Sequence, residues 1–200
     1  MGLLNMSAKP GSTSKLRAPA LQVRAVFLVG HMGAGKSSVG RALSTLLNWP
    51  FEDLDDRIEK RAERTVEEIF RLNGEAGFRR LEHAALRDLL QDPAQFPRIV
   101  ALGGGAFAQQ ENTQLLDQPD YISVFLDGPA SVLFDRCQRQ AIQRPLLTSK
   151  ERFADLYEKR RAYYNHATLR IDTSGKTIED VARELAKEFE GHLIPKSDYF

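Results

Sequence analysis

The stretch of sequence that decides the fold is Gly30-His31-Met32-Gly33-Ala34-Gly35-Lys36-Ser37. Its spacing is a glycine, four residues and then Gly-Lys-Ser, which is the pattern of a loop that binds phosphate groups. Glycines let the backbone turn its N–H groups inward, and the helix that follows adds partial positive charge. We expect Lys36 to reach the β- and γ-phosphates of a nucleotide, and the Ser37 hydroxyl to ligate Mg²⁺.

The residues on either side supply the context that such a loop requires. The apolar run 25–29 is typical of a buried strand, and residues 38–47 are compatible with a helix. A glycine-rich turn that binds nothing is the alternative interpretation. The strand before the loop and the helix after it favour nucleotide binding.

Composition limits the class of protein. The chain has 200 residues, which suit one α/β domain with a small lid. Its 28 basic and 27 acidic residues give a net charge of +1, so charge offers no argument for binding nucleic acid or a membrane surface. Cys137 is the only cysteine, which excludes an internal disulfide and is typical of the reducing cytoplasm. No apolar run approaches the roughly 18 residues of a membrane span.

The chain divides into three parts. Residues 1–22 are rich in Ser, Lys, Pro and Gly and contain no acidic residue, so we expect a flexible N-terminal extension, with a transit peptide as the alternative. Residues 23–190 alternate strands and helices, which predicts a mainly parallel sheet covered on both faces. Residues 191–200 form a C-terminal tail.

The pattern also predicts where individual elements lie. Strands are expected at 51–55, 99–102, 121–127 and 169–172. A single helix is expected to begin at Asp55-Asp56 and to end at Asn73-Gly74, because Ile58, Ala62, Val66, Ile69 and Phe70 recur at helical spacing. Further helices follow at about 78–89, after 128–129, and at 153–164 and 178–189.

Two carboxylates lie at the predicted end of the strand 51–55. Asp53 and Asp55 would stand at the carboxyl edge of the sheet, where ligands of open α/β sheets bind. We expect alternation along the strand to send their side chains to opposite sides, one toward the metal and the other toward the acceptor. Helix capping and solvation are the alternative interpretation.

Glycines and arginines supply further candidates. The triple glycine at 103–105 lets a substrate approach the backbone, or is an ordinary tight turn. Arg79 and Arg160 are able to hold a carboxylate through paired hydrogen bonds, although each taken singly is more typical of a surface ion pair. Arg144 lies in the polar, basic segment 136–150, which could fold over the nucleotide; the alternative is a solvated surface charge.

Together these positions resemble one family, the shikimate kinases of the P-loop kinase superfamily. The resemblance covers about residues 23–189. It rests on six motifs, which are the phosphate loop at 30–37, Phe51-x-Asp53-x-Asp55, Phe78-Arg79-Arg80-x-Glu82, Leu102-Gly103-Gly104-Gly105-Ala106, Arg144-Pro145-Leu146-Leu147 and Arg160-x-x-x-Tyr164. Each motif except the first is weak alone, and their order and spacing make the set specific.

The resemblance implies a three-layer P-loop kinase fold, with a five-stranded parallel sheet in the order 2-3-1-4-5, helices on both faces and a small lid at about 136–150. It implies that ATP, with Mg²⁺ as cofactor, phosphorylates the 3-hydroxyl of shikimate, in the pathway to chorismate and aromatic amino acids. The expected partners are ATP and shikimate. We expect a cytoplasmic monomer that binds neither nucleic acid nor a membrane.

The resemblance also implies roles for the matching positions. The nucleotide is bound by Gly33, Ala34, Gly35, Lys36, Ser37, Ser38 and Arg144. Shikimate is bound by Asp55, Arg79, Glu82, Gly103, Gly104, Gly105 and Arg160. The metal is organised by Ser37 and Asp53. The catalytic residues are Asp55 as the base, Lys36 and Arg144.

The sequence departs from the family pattern at some positions. The family usually has Pro-Leu-Tyr where this chain has Ala162-Tyr163-Tyr164. The segment 136–144 is about one residue longer than usual, which leaves open whether Arg136 or Arg139 packs on adenine. Asp127 ends an apolar strand and mimics a Walker B aspartate, but the resemblance assigns the metal to Asp53.

Two other functions fit parts of the sequence. One is a different small-molecule P-loop kinase, such as a gluconate kinase or a nucleoside monophosphate kinase. The paired aspartates, Phe-Arg-Arg and the triple glycine argue against it. The other is a nucleotide-dependent regulatory protein that kept the fold and lost turnover. Loss of Lys36, Asp55 or Arg144 would favour that function, and all three are present.

Overall fold

Strand β1, Ala25–Val29, lies at the centre of the molecule because every one of its residues is apolar and buried. In this computed structural model, which describes residues 23–92, 97–139 and 149–189, four parallel strands accompany it, namely β2 (Phe51–Asp53), β3 (Arg98–Ala101), β4 (Tyr121–Asp127) and β5 (Leu169–Asp172). The order is β2-β3-β1-β4-β5, so the predicted five-stranded parallel sheet is confirmed.

The described ranges contain seven α-helices, of which six lie between strands and the last follows β5. They are α1 (Lys36–Leu47), α2 (Leu54–Ala62), α3 (Val66–Gln91), α4 (Gln110–Leu116), α5 (Ala130–Arg139), α6 (Lys150–Tyr164) and α7 (Ile178–Phe189). None of them combines the length and the hydrophobicity that a membrane-spanning helix needs.

The core consists of two apolar clusters, one on each face of the sheet. Successive side chains of β1 point to opposite faces, so Val26 and Leu28 join one cluster, while Phe27 and Val29 join the other. Burial on both faces is typical of a strand in the middle of a parallel sheet.

The carboxyl ends of the strands meet at one edge of the sheet. Leu28 pairs with Ala101 of β3 and Val29 with Phe125 of β4, while Asp53 of β2 also pairs with Ala101. The loops that leave these strands therefore lie side by side, and they carry most of the predicted site residues.

The helix predicted from Asp55 to Gly74 is wrong in one respect, because it is interrupted. Helix α2 ends at Ala62, and Glu63 adopts the left-handed conformation with φ 51°. Helix α3 begins with a capping box, in which Thr65 and Glu68 bond reciprocally. The predicted break at Gly74 is present, since this residue is non-helical (φ 64°, ψ 179°) within α3.

Candidate active site

The phosphate loop closes between β1 and α1. Gly33 and Gly35 have φ values of 80° and 88°, which favour glycine, and α1 begins directly at Lys36. The Lys36 ammonium donates to the carbonyl oxygens of Gly30 (2.9 Å) and His31 (3.1 Å). The Lys36 side chain is thus held across its own loop. The ammonium group and the N-terminus of α1 together provide positive charge that favours binding of a phosphate group at the loop.

Two oxygen donors of the predicted metal site lie together. The Ser37 hydroxyl donates to Asp53 Oδ2 at 2.5 Å, which joins the start of α1 to the end of β2. Hard cations such as Mg²⁺ prefer oxygen ligands, and Mg²⁺ is usually held by one or two protein groups, with phosphate and water completing its shell. In the described part of the chain, no group of three or more His, Cys, Asp or Glu side chains could hold a metal alone. The pair therefore fits Mg²⁺ carried with a nucleotide.

The side chains of Asp53 and Asp55 have different surroundings, but the alternation along a strand that we expected is not the reason. Strand β2 stops at Asp53, and residues two apart on a strand would in any case share a face. Asp53 is the N-cap of α2, and its Oδ1 accepts from the Asp55 backbone N–H at 3.1 Å. Asp55 therefore lies in the first turn of a helix, and the change from strand to helix separates the two side chains.

An arginine and two glutamates form one wall of the site. Arg79 Nη1 donates to Glu82 Oε2 at 2.8 Å, and Gln109 Nε2 donates to the same oxygen at 3.0 Å. Glu82 is fully buried, and burial raises its pKa while the Arg79 charge opposes that rise. Arg79 also donates to Glu75 on its other edge. These contacts fix the guanidinium in one place.

The triple glycine lies against these side chains. A Cβ on Gly105 would stand 2.3 Å from Arg79 Nη2, and a Cβ on Gly103 would stand 2.4 Å from Glu82 Oε1 and 3.0 Å from Asp55 Oδ1. Only glycine allows this approach without displacement of the neighbouring side chains. The loop after β3 thus brings Asp55 and the Arg79–Glu82 pair together.

Helix α6 supplies the opposite wall. Arg160 is 8% exposed, and burial lowers its pKa. Tyr164, fully buried, donates its hydroxyl to the Gly104 carbonyl. A Cβ on Gly104 would lie 3.7 Å from Arg160 Nη1 and 3.5 Å from the Met32 nitrogen of the phosphate loop. Gly104 therefore lies close to both the second arginine and the phosphate loop.

We call the set gathered around the triple glycine the acceptor cradle. It comprises Asp55, Arg79, Glu82, Gly103, Gly104, Gly105 and Arg160. All of these positions were singled out in the sequence, and the fold brings them to the same edge of the sheet as the phosphate loop. A half-buried and a buried arginine, beside a carboxylate and a phosphate loop, are able to hold an anionic acceptor near a nucleotide.

Some functional contacts were not predicted. Gln109 supports Glu82, and nothing in its sequence position indicated this. Asp127 does not face the metal pair, because its carboxylate accepts hydrogen bonds from Tyr157, Arg161 and Arg170. Those partners are 30 to 43 residues away along the chain, so no local pattern could reveal them.

Some predicted positions cannot be placed. Arg144 and residues 140–148 of the predicted lid lie outside the described residues. Arg136 and Arg139 are in the last turn of α5, half-buried and exposed respectively. The choice between them for an adenine contact stays open.

The fold and the site together first indicate the class of protein. A parallel sheet in the order 2-3-1-4-5, a phosphate loop and an adjoining anion cradle are the features of a P-loop kinase. Deoxyadenosine kinase from M. mycoides shares the fold at 14% identity, with a TM-score of 0.60 over 82% of this chain and 98% of that one. At this identity the likeness shows the fold alone.

Closer relatives define the family. The family model for shikimate kinase matches residues 32–190. The shikimate kinase of Geobacter metallireducens is 39% identical over 183 residues, covering 90% of this chain and 99% of that protein. The shikimate kinase of Geobacter sulfurreducens is 42% identical over 166 residues, covering 82% and 89%. The structure of shikimate kinase from Acinetobacter baumannii in complex with shikimate matches with a TM-score of 0.77 and 34% identity, over 84% of this chain and 94% of that one. The chain belongs to the shikimate kinase family.

Proposed function

We propose that this chain transfers the γ-phosphoryl group of ATP to the 3-hydroxyl of shikimate, giving shikimate 3-phosphate and ADP in the pathway to chorismate and aromatic amino acids. The proposal rests mainly on the position of Gly104, where a single added Cβ would lie 3.5 Å from the phosphate-loop nitrogen of Met32 and 3.7 Å from Arg160 Nη1. A donor phosphate and an anionic acceptor would meet there. Membership of the shikimate kinase family identifies the acceptor.

The nucleotide side neutralises and positions the phosphates. The loop amides and Lys36 hold the β- and γ-phosphates, while Ser37 and Asp53 hold Mg²⁺. The metal supplies positive charge to the phosphate oxygens when it is bound. For Arg144, which lies outside the described residues, the family resemblance implies a contact with the same phosphates.

The acceptor side fixes the cyclohexene ring of shikimate and its reacting hydroxyl. Arg79 and Arg160 bind the carboxylate of shikimate, and Asp55 accepts a hydrogen bond from the 3-hydroxyl. A bond forms between that oxygen and the γ-phosphorus as the bond from the phosphorus to the bridging oxygen breaks. The hydroxyl proton passes to Asp55, and ADP leaves with the electron pair. We also propose that the protein is a monomer and acts in the cytoplasm.

A coupled ADP-release assay with several acceptors tests this function. Shikimate should support turnover, whereas gluconate and nucleoside monophosphates should not exceed the rate without acceptor. Turnover with one of those alternatives would assign a different kinase activity. ATP binding without turnover on any acceptor would indicate a regulatory protein.

A further inference from the structure

Both edges of the Arg79 guanidinium are bonded to carboxylates of this chain. On one edge, Nη1 donates to Glu82 at 2.8 Å. On the other, Nε and Nη2 both donate to Glu75 Oε1, at 3.3 and 3.0 Å. The Nε–Nη2 edge is one of the two edges by which an arginine binds a carboxylate bidentately. Glu75 therefore occupies one of the two edges on which Arg79 is able to bind a substrate carboxylate.

The two glutamates differ in their freedom to leave. Glu82 is fully buried and is also bonded to Gln109, so its departure would leave a buried charge unpaired. The Glu75 side chain is 54% exposed, so its ion pair with Arg79, four residues later, is open to solvent on the glutamate side, which weakens the interaction. Only Glu75 is replaceable at low cost.

The backbone around Glu75 favours its release. Glu75 follows the non-helical Gly74 directly, and residues 71–76 are all exposed. Arg79 itself has no such freedom, because its side chain is 15% exposed and lies against Gly105. The Nε–Nη2 edge of Arg79 therefore becomes available to an incoming carboxylate only when Glu75 leaves it.

We propose that Glu75 is a stand-in for the carboxylate of the acceptor. It neutralises Arg79 while the acceptor cradle is empty, and a carboxylate substrate displaces it. An acceptor without a carboxylate leaves Glu75 on Arg79, so the pair contributes to selection of anionic acceptors. The identity of that acceptor as shikimate rests on the proposed function, whereas the covering of Arg79 by Glu75 does not.

Calorimetric titration of shikimate, without ATP, tests the competition. Glu75→Gln keeps the size of the side chain and removes its charge, so shikimate should bind about 2- to 5-fold more tightly, the range expected for loss of one weak exposed pair. Glu188→Gln, on α7, removes the same charge outside the cradle and should leave binding unchanged. The KM for ATP should be unchanged in both variants. Equal or weaker shikimate binding by Glu75→Gln would overturn the proposal.

A second measurement needs no substrate. Phenylglyoxal modifies accessible guanidinium groups, and peptide mass spectrometry follows Arg79 alone. Arg79 should be labelled several-fold faster in Glu75→Gln than in the natural chain or in Glu188→Gln, and an unchanged rate would overturn the role of Glu75. Faster labelling together with no shikimate binding by any form would instead contradict the proposed function.

Discussion

Asp53 is the last residue of strand β2 and the N-cap of helix α2. Its carboxylate accepts one hydrogen bond from each of two neighbouring elements. Its Oδ1 caps α2 through the Asp55 N–H, and its Oδ2 accepts from the Ser37 hydroxyl. The cap fixes the backbone of the first turn of α2, and it therefore also fixes the position from which the Asp55 side chain extends. We therefore expect substitutions at these two aspartates to have different consequences.

Asp55→Asn should lower kcat by about 10²- to 10⁴-fold, because it removes the basicity that the reacting hydroxyl needs. Binding of ATP with Mg²⁺, measured without shikimate, should stay within a few-fold, since Lys36, Ser37 and the loop amides remain. Steady-state kinetics and calorimetry provide the two measurements. Normal turnover by Asp55→Asn would show that this residue is not the base.

Asp53→Asn should mainly raise the Mg²⁺ concentration that gives half the maximal rate, because it removes a charged oxygen from the metal pair. A titration of the rate against Mg²⁺ measures this shift, with Asp55→Asn as the matched carboxylate control. If the two variants exchanged these signatures, the assignment of roles would be reversed.

Gly105→Ala should raise the KM for shikimate by about 10-fold, the loss expected when one charged hydrogen bond is misplaced. The new Cβ would stand 2.3 Å from Arg79 Nη2, so the guanidinium must be displaced from the place where its glutamate contacts hold it. The melting temperature and the KM for ATP should change little, which distinguishes a displaced arginine from a damaged fold. An unchanged KM for shikimate would mean that Arg79 tolerates other positions.

At the scale of elements, α6 connects the phosphate loop with the acceptor cradle. The rings of Phe153 and Tyr157 pack edge-on against His31, with centroid distances of 4.6 and 5.5 Å. One turn further along the helix, Arg160 enters the cradle, and Tyr164 bonds the Gly104 carbonyl. A displacement of α6 would therefore affect both substrate sites.

Asp127 ties α6 to the end of β4. Burial alone would raise the pKa of its carboxyl, but its hydrogen bonds outweigh burial and hold the pKa below its ordinary value. The donors are Tyr157, Arg170, the Gly128 N–H and Arg161. A lowered pKa means that the native state favours the charged form, which stabilises the fold above the unfolded pKa.

Asp127→Asn should lower the free energy of unfolding by about 2 kcal/mol at pH 7, the range for a hydrogen bond to a charged group. The advantage of the natural chain should shrink as the pH falls from the ordinary carboxyl pKa of 3.8 through the lowered native pKa, because the unfolded chain then binds a proton at Asp127 before the native state does. Urea unfolding at several pH values measures both effects. A difference that stayed constant down to pH 2 would contradict the role of the charge.

The limits of prediction follow from the range of each interaction. The phosphate loop, the strands and the cradle glycines were predictable, because local spacing and the family resemblance specify them. The break at Glu63 carried a local signal, the capping box of Thr65 and Glu68, which the helical spacing concealed. The partners of Asp127 and the covering of Arg79 by Glu75 depend on the folded arrangement of side chains, so the sequence did not predict them.

At the scale of the whole molecule, the sheet, both apolar clusters and the acceptor cradle consist of residues from Val23 onward. Deletion of residues 1–20 should therefore leave the activity and the melting temperature nearly unchanged, as we expect for a tail without apolar periodicity. Kinetics and thermal unfolding of the shortened chain measure this directly. A loss of several degrees or of most of the activity would show that the tail packs on the domain.

Phosphorus NMR of the reaction product shows whether the phosphoryl group of ATP passes to one hydroxyl of shikimate. We expect one new phosphate ester, coupled to the proton on carbon 3 of shikimate and equal in amount to the ADP formed. Release of inorganic phosphate alone, or an ester on another hydroxyl, would contradict this expectation.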